Sequence, residues 1–436
     1  MRKPAIALLL LTLPCFAAPL AAAQELLPPA SVTLECCQAL DRPDLLTLEE
    51  AYALALKQSE TIAIQGELLK ETEGRFLQAL SGALPNASFE ASEKRQDGTG
   101  SSSFTLKKIP ERKFVFSQPL FSGFKEFAAM AGARAQRRQR AYDKIRAEQL
   151  LLVDVANAFY LLLEKREALN AFEVSRAALL ERTDELTSRE QLGRSRPSER
   201  VSAEVQLRRL QADLEEARSD ETVARQLLAF LIGRDPSEGI VDPEDSLPPV
   251  SDEAAYTAKA GARPDVLAAQ EAWKVARKEV TVARADLWPD VNLEGNYYTK
   301  RVGVAEDVKW DVLLKMDVPL FQGGKVVGAI REASAKEREA KLELARTRRE
   351  ALQDIQDLST QLRAAMQRTA SLEQAVASAE ENYRLQREDY QHSLVNNLEV
   401  LQALQSLQDT RRGFIAAHYE AKRLYWQLRA ATGEAL

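Results

Sequence analysis

The chain is 436 residues long, with 59 Lys and Arg against 65 Asp and Glu and a net charge of −6. That balance leaves no basic footprint for nucleic acid, and two His with three Cys are a thin stock for metal or nucleophile chemistry. Charged residues reach 28% while Gly numbers 18 and Pro 17, and the stretches rich in Ala, Leu, Glu, Arg and Gln read as long helices rather than compact mixed sheet.

Residues 1–23 read as an export signal: Arg2 and Lys3, the apolar stretch Ala5–Leu13, and Ala21-Ala22-Ala23 before Gln24. The apolar core is shorter than the ~20 residues of a membrane span, and Thr12-Leu13-Pro14 before Cys15 is unlike a lipidation site. Residues 24–45 are then an N-terminal extension outside the cytoplasm. Its adjacent Cys36 and Cys37 form a strained vicinal disulfide, link to another chain, or are two incidental thiols.

From Leu48 to Leu80 apolar residues recur at helical spacing, and Pro85 ends the helix because it lacks an N–H and disfavours helix in the residue before it. A hairpin is predicted over about 86–118. Ala87, Phe89 and Ala91 alternate with polar neighbours, and after a Gly/Ser loop Phe114 and Phe116 alternate with Lys113, Val115 and Ser117. From Phe124 to about Leu192 no proline occurs, so one helix of roughly 100 Å is predicted. A helix that long needs partners, and Phe159, Leu162, Leu169, Phe172, Leu179 and Leu186 recur at coiled-coil spacing. "QLGRSRPSE" turns it into a shorter returning helix.

The order then starts again. "SQPLFSGFKE" from Ser117 and "DVPLFQGGKV" from Asp317 stand 200 positions apart, as do Val201 and Leu401, Leu207 and Leu407, and Gly233 and Gly433. Upstream, "LSGALPNASFEAS" and "ARADLWPDVNLEGN" both pass from helix to strand through a proline. A constant offset at separated markers is a tandem duplication. The first repeat spans 46–233, a Pro- and acid-rich linker 234–254, and the second repeat 255–436, with a hairpin over about 290–318 and a long helix over about 326–392. Pro119 and Pro319 are expected to end the second strand of each hairpin, where a missing donor costs least. Gly123 and Gly323 supply the flexible step into the long helix.

In the second hairpin Trp310, Val312, Leu314, Met316 and Val318 alternate with Asp311, Leu313, Lys315 and Asp317. Period 2 with opposite chemistry asks for two environments: either a soluble sheet's wet and dry faces, or a barrel with Asp311, Lys315 and Asp317 toward its lumen. Tyr297, Tyr298 and Trp310 are interface aromatics or core residues on these readings, and Trp288 packs where helix gives way to strand. "AQRRQR" (135–140) reads as a solvated helix face. His392 and His418 are 26 residues apart with no Cys or second His beside them, which speaks against ligation. No phosphate loop, G-x-S-x-G, HExxH or dinucleotide fingerprint occurs. Four strands cannot close a barrel, since the smallest outer-membrane barrels have eight, and an open edge cannot sit in lipid. Other copies must complete the sheet.

Over about Leu46 to Gly433 the chain resembles the TolC-like outer-membrane efflux proteins, in "LTLEEAYALALKQSETI", in "RPDVLAAQEAWKVARKEVTVARADLWPDVNLEG" and in the doubled "PLFxG". The resemblance implies a mainly α fold with a small β part. It implies a homotrimeric, 12-stranded outer-membrane β-barrel continued by a periplasmic α-helical barrel. It further implies docking to a periplasmic adaptor and an inner-membrane transporter, with no cofactor. The family's tips that meet the adaptor carry a small apolar–Gly–x step. Leu192-Gly193-Arg194 matches it, while His392-Ser393-Leu394 lacks the glycine, which leaves the docking geometry of the second tip open. The family narrows its entrance with acidic residues after the second tip. Glu399 stands at one such place and Gln402 at the other, so Glu399 is either a carboxylate ring that favours cations or a solvated turn residue. The competing reading, a periplasmic coiled-coil adaptor or scaffold, leaves the amphipathic hairpins without a purpose. An enzyme carried on coiled coils is left no room by the duplication.

Overall fold

A computed structural model describes residues 45–97, 106–236, 239–243, 247–248 and 252–434; the export signal and the Cys36–Cys37 pair lie outside them. α1 (Leu48–Gln58) starts on a reciprocal cap, Glu50 N–H donating to Thr47 Oγ1 at 3.3 Å and Thr47 N–H to Glu50 Oε2 at 3.2 Å. The single helix read over 48–80 is two. Ser59 is extended, ends α1, and caps α2 (Glu60–Ser81) by accepting from Ile62 N–H at 3.4 Å. A serine that satisfies free N–H groups of a first turn competes with an unbroken helix.

β1 (Asn86–Arg95) and β2 (Lys108–Ser122) form the first hairpin, followed by α3 (Lys125–Gln191) and α4 (Pro197–Ile232). After the linker come α5 (Glu253–Thr257), a 3-10 turn (Ala260–Ala262) and α6 (Pro264–Ala285). Then follow β3 (Asp290–Lys300), β4 (Trp310–Asp317), α7 (Lys325–Gln391) and α8 (Asn397–Ala431). α3 and α7 each hold 67 residues and start 200 positions apart. α2 and α6 each hold 22 and start 204 apart, so the first hairpin contains four residues more.

The four strands make one antiparallel sheet in the order β1-β2-β3-β4, with β1 and β4 at the edges. Its register lines up Phe89, Phe114, Tyr297 and Trp310 as successive opposite residues, and likewise Phe116, Gly295 and Val312, then Leu293 and Leu314. Opposed residues share a face, so one face is a continuous exposed apolar surface. The other carries Glu90 opposite Lys113, Asn296 opposite Asp311 and Asn292 opposite Lys315.

Pro119 does not end its strand. β2 continues to Ser122, and the pairing with β3 shifts between Pro119 and Phe121. An irregularity there tolerates the missing N–H that a regular ladder would not. Pro319 does lie beyond its strand, β4 stopping at Asp317. Gly123 has φ +63°, and a Cβ there would stand 2.7 Å from the Ala285 carbonyl oxygen, so both conformation and space require glycine. Gly323 has φ +58° with open space around it.

Among the described residues four apolar clusters hold the helices, two of them built on α7 with α6 and α8, around Ile355 and Leu362 and around Val266 and Ala351. Near mid-length Leu152, Val155, Phe159 and Leu162 of α3 pack with Ala51 and Ala55 of α1, Leu228 and Ile232 of α4 and Trp426 of α8. Trp426 Nε1 donates to Tyr160 Oη at 3.0 Å. The described part of the linker is pinned there: Val241 N–H donates to the Leu46 carbonyl at 3.1 Å, and Lys422 pairs with Asp242. Another gathers Leu179 and Leu186 of α3, Leu207 of α4, Tyr390 of α7 and Val400 and Leu404 of α8, close behind the two turns.

Candidate functional site

The α3–α4 and α7–α8 turns form the tips. At the first, Leu192 N–H donates to the Ser188 carbonyl at 3.2 Å, Gly193 N–H to Glu190 at 2.9 Å and Arg194 N–H to Arg189 at 2.8 Å, with Gly193 at φ +70°. At the second, His392 N–H donates to Glu388 at 3.3 Å, Ser393 N–H to Tyr390 at 3.0 Å and Leu394 N–H to Asp389 at 2.9 Å, with Ser393 at φ +59°. Ser393 takes the left-handed conformation usual for glycine, and the helix end closes with the same bonds. The local cost, ~1–2 kcal/mol for a residue with a Cβ, is one the turn sustains. Leu192 and Leu394 are 69% and 73% exposed, apolar residues with no partner of their own chain over most of their surface.

Behind the turns lies a buried polar network that sequence reading missed. Arg182 of α3 has a side chain only 6% exposed. Its Nε donates to Asn397 Oδ1 at 3.0 Å, its Nη1 to Glu185 Oε2 at 2.6 Å, and its guanidinium lies 3.7 Å from the Tyr390 ring centre. Tyr390 Oη donates to Glu199 Oε2 at 3.2 Å, and Asn397 Nδ2 donates to the Glu199 carbonyl at 3.2 Å. Arg182 and Glu185 come from α3, Glu199 from α4, Tyr390 from α7 and Asn397 from α8, so the network ties one helical hairpin to the other. Burial, then the Glu199 carboxylate, pushes the Tyr390 hydroxyl above its ordinary value, against the pull of Arg182 and Arg189. It stays protonated and keeps donating at any physiological pH. The one sequence signal was Arg182 itself, a charge three positions after the apolar Leu179 of the coiled-coil stripe.

Glu399 is in the first turn of α8 and half-buried. The Asn396 side chain caps that turn, its Oδ1 accepting from Leu398 N–H at 2.9 Å and Glu399 N–H at 3.2 Å, while its Nδ2 donates to Glu399 Oε1 at 3.1 Å. Gln402 lies one turn further on and is exposed. In the sheet, Asp311 accepts from Asn296 Nδ2 at 2.8 Å, and Lys315 pairs with Asp317 at 3.0 Å, all three on the polar face opposite Trp310 and Leu314. At the strand–helix step Phe121 meets Trp288 edge-on at 6.4 Å and Phe124 at 5.3 Å.

Residues 257–434 match the family model described as outer membrane efflux protein. The chain is 23% identical over 330 residues to the outer membrane protein TolC of Vibrio cholerae, covering 73% of this chain and 75% of that one. It is 23% identical over 418 residues to the alkaline protease secretion protein AprF of Pseudomonas aeruginosa, covering 89% and 86%. The crystal structure of the outer membrane protein VceC from Vibrio cholerae has the same fold, with a TM-score of 0.79 at 23% identity, covering 89% of this chain and 96% of that one.

Proposed function

We propose that the chain is a TolC-like outer-membrane efflux protein and that it works as a passive export duct built of three copies. It is an outer-membrane channel and not an enzyme. The observation that supports the trimeric duct is the sheet: four strands, two free edges, one face continuously apolar and the other charged. Three copies give twelve strands, within the range of closed barrels. Closure pairs the edge amides and turns the apolar face to lipid. Asp311, Lys315 and Asp317 then line the lumen, and the long helices continue the tube through the periplasm.

The tips dock a periplasmic adaptor, through the exposed Leu192, Gly193 and Arg194 at one turn and His392, Ser393 and Leu394 at the other. An inner-membrane transporter engaged with that adaptor supplies the energy and chooses the cargo. Three copies of Glu399, followed by Gln402, form the constriction, one carboxylate ring that favours cations.

The reading is tested by imaging the detergent-extracted protein and measuring its mass by light scattering. A three-fold particle with a hollow stem, three times the chain mass, is the expected result. A monomer, or a solid stem, refutes the duct.

A further inference from the structure

The chain contains one of the two junctions between successive repeats, that of α3 with α6 and α8, and the duplication allows the missing one to be read from it. Inside the chain, α3 of the first repeat packs on α6 of the second. There Arg138 Nη2 lies 2.8 Å from Glu271 Oε2, and Lys274 holds the other oxygen at 2.6 Å, leaving Glu271 nearly buried. One repeat along, with offsets of 200 after the hairpins and 204 before them, the same three positions are Arg338, Glu67 and Lys70. Lys70 already holds Glu67 at 2.7 Å, as Lys274 holds Glu271. Arg338 is on α7 and Glu67 on α2, however; α7 packs on α6 and α8, α2 packs on α3, and both residues are exposed.

We propose that a second copy of this chain covers the open flank of α7 with its α2, in the register that pairs Arg338 with the partner's Glu67. The inference rests on the duct reading and goes beyond it, from the number of copies to which residues meet.

Three further correspondences point to the same register. Phe121 meets Trp288 within the chain, whereas its equivalent Phe321 is 89% exposed and finds the half-exposed Leu84 of the partner at the place of Trp288. Gly132 makes room for Lys278, whose Cβ is 3.5 Å from the position of a glycine Cβ. At the new junction the sizes are exchanged, Glu332 facing the partner's Gly74, around which nothing lies within 4 Å. On α8, Arg423 meets α3 at Glu164, 2.7 Å away, and Ala430 is buried. The equivalents on α4 are Val223 and Phe230, 61% and 80% exposed, which the partner's α7 covers as α3 covers α8. An apolar stripe of that kind in water marks an interface.

The test uses the full chain purified in detergent. R338E and E67R each bring like charges together at all three junctions. Each is expected to shorten the lifetime of the trimer in dodecyl sulfate by ~10-fold or more, and the double variant to return it to within ~2-fold. Trimeric single variants with no recovery in the double overturn the register while leaving the trimer standing. As a milder probe, R338C/E67C in a chain with Cys36 and Cys37 changed to serine is bridged between subunits by a short bismaleimide, and R338C/R75C is not. Equal bridging of both, or of the second alone, also overturns the register. A monomeric unchanged protein refutes the duct itself.

Discussion

Arg182→Ala isolates what the buried network does. The substitution leaves Asn397 Oδ1 without its Nε donor, a loss of ~1–3 kcal/mol for a buried acceptor. It removes a guanidinium 3.7 Å from the Tyr390 ring, worth ~0.5–2 kcal/mol when desolvated. Against this, Arg182 Nη2 is itself buried without a hydrogen-bond partner, and deleting it recovers ~1–3 kcal/mol. Glu185 loses little because Arg189 holds its other oxygen at 2.9 Å. The balance is roughly 1.3 kcal/mol of local stability, or ~10-fold in an opening equilibrium.

Because the network sits at the tips, the loss is local rather than global. Hydrogen exchange followed by mass spectrometry should show peptides from 183–205 and 385–404 exchanging ~10-fold faster, while 150–163 in the mid-length core is unchanged. Arg182→Lys keeps the charge and rescues only partly, since an ammonium does not stack and donate in the same plane. Unchanged exchange at the tips refutes the network as the tie between the hairpins. Equal acceleration in the mid-length core refutes its local character.

Glu399→Ala with Gln402→Ala should raise single-channel conductance in planar bilayers and weaken cation preference; unchanged values count against the constriction. Gly123→Ala should lower thermal stability by more than ~2 kcal/mol, because the Cβ meets the Ala285 carbonyl at 2.7 Å as well as a positive φ. Gly323→Ala, with open space around it, should cost ~1 kcal/mol, and equal melting shifts refute the close approach. Burial pushes the Asp265 carboxyl up, but its bond to Arg263 and the charges of Arg263 and Arg146 outweigh burial and hold it below the ordinary range. A lowered folded pKa means stability that is present above the unfolded value of ~3.9 and lost as pH falls through the folded one. Acid melting should therefore loosen the start of α6 below about pH 4, and Asp265→Asn should flatten that limb; an identical pH profile refutes the assignment.

The sequence revealed what repeats or alternates. Markers repeated at a constant offset of 200 and period-2 strands are the signals for the duplication and the hairpins, and the proline-free stretches coincide with the long helices Lys125–Gln191 and Lys325–Gln391 to within a residue or two. Each of those signals is local, carried by neighbours along the chain. The Ser59 break escaped because a serine inside an amphipathic pattern looks the same whether it caps or continues a helix. Pro119 misled for a related reason, since proline ends a strand only where the ladder stays regular, and here the ladder shifts around it.

The tips show where local signals stop. Arg182, Glu199, Tyr390 and Asn397 are spread over 215 positions and meet only because two hairpins lie side by side, and no spacing rule joins them. Ser393 carries the opposite lesson. Glycine's preference at a left-handed helix end is worth ~1–2 kcal/mol, which is less than the bonds and packing that close the turn, so a missing glycine does not mean a missing turn. The tip geometry is thus set by the helices arriving at it, Glu388 to Tyr390 supplying the carbonyls, and the residue at the apex adjusts. By the same reasoning the two apexes, Leu192-Gly193-Arg194 and His392-Ser393-Leu394, present one backbone shape with different side chains, so any partner that tells them apart does so by charge and bulk and not by backbone.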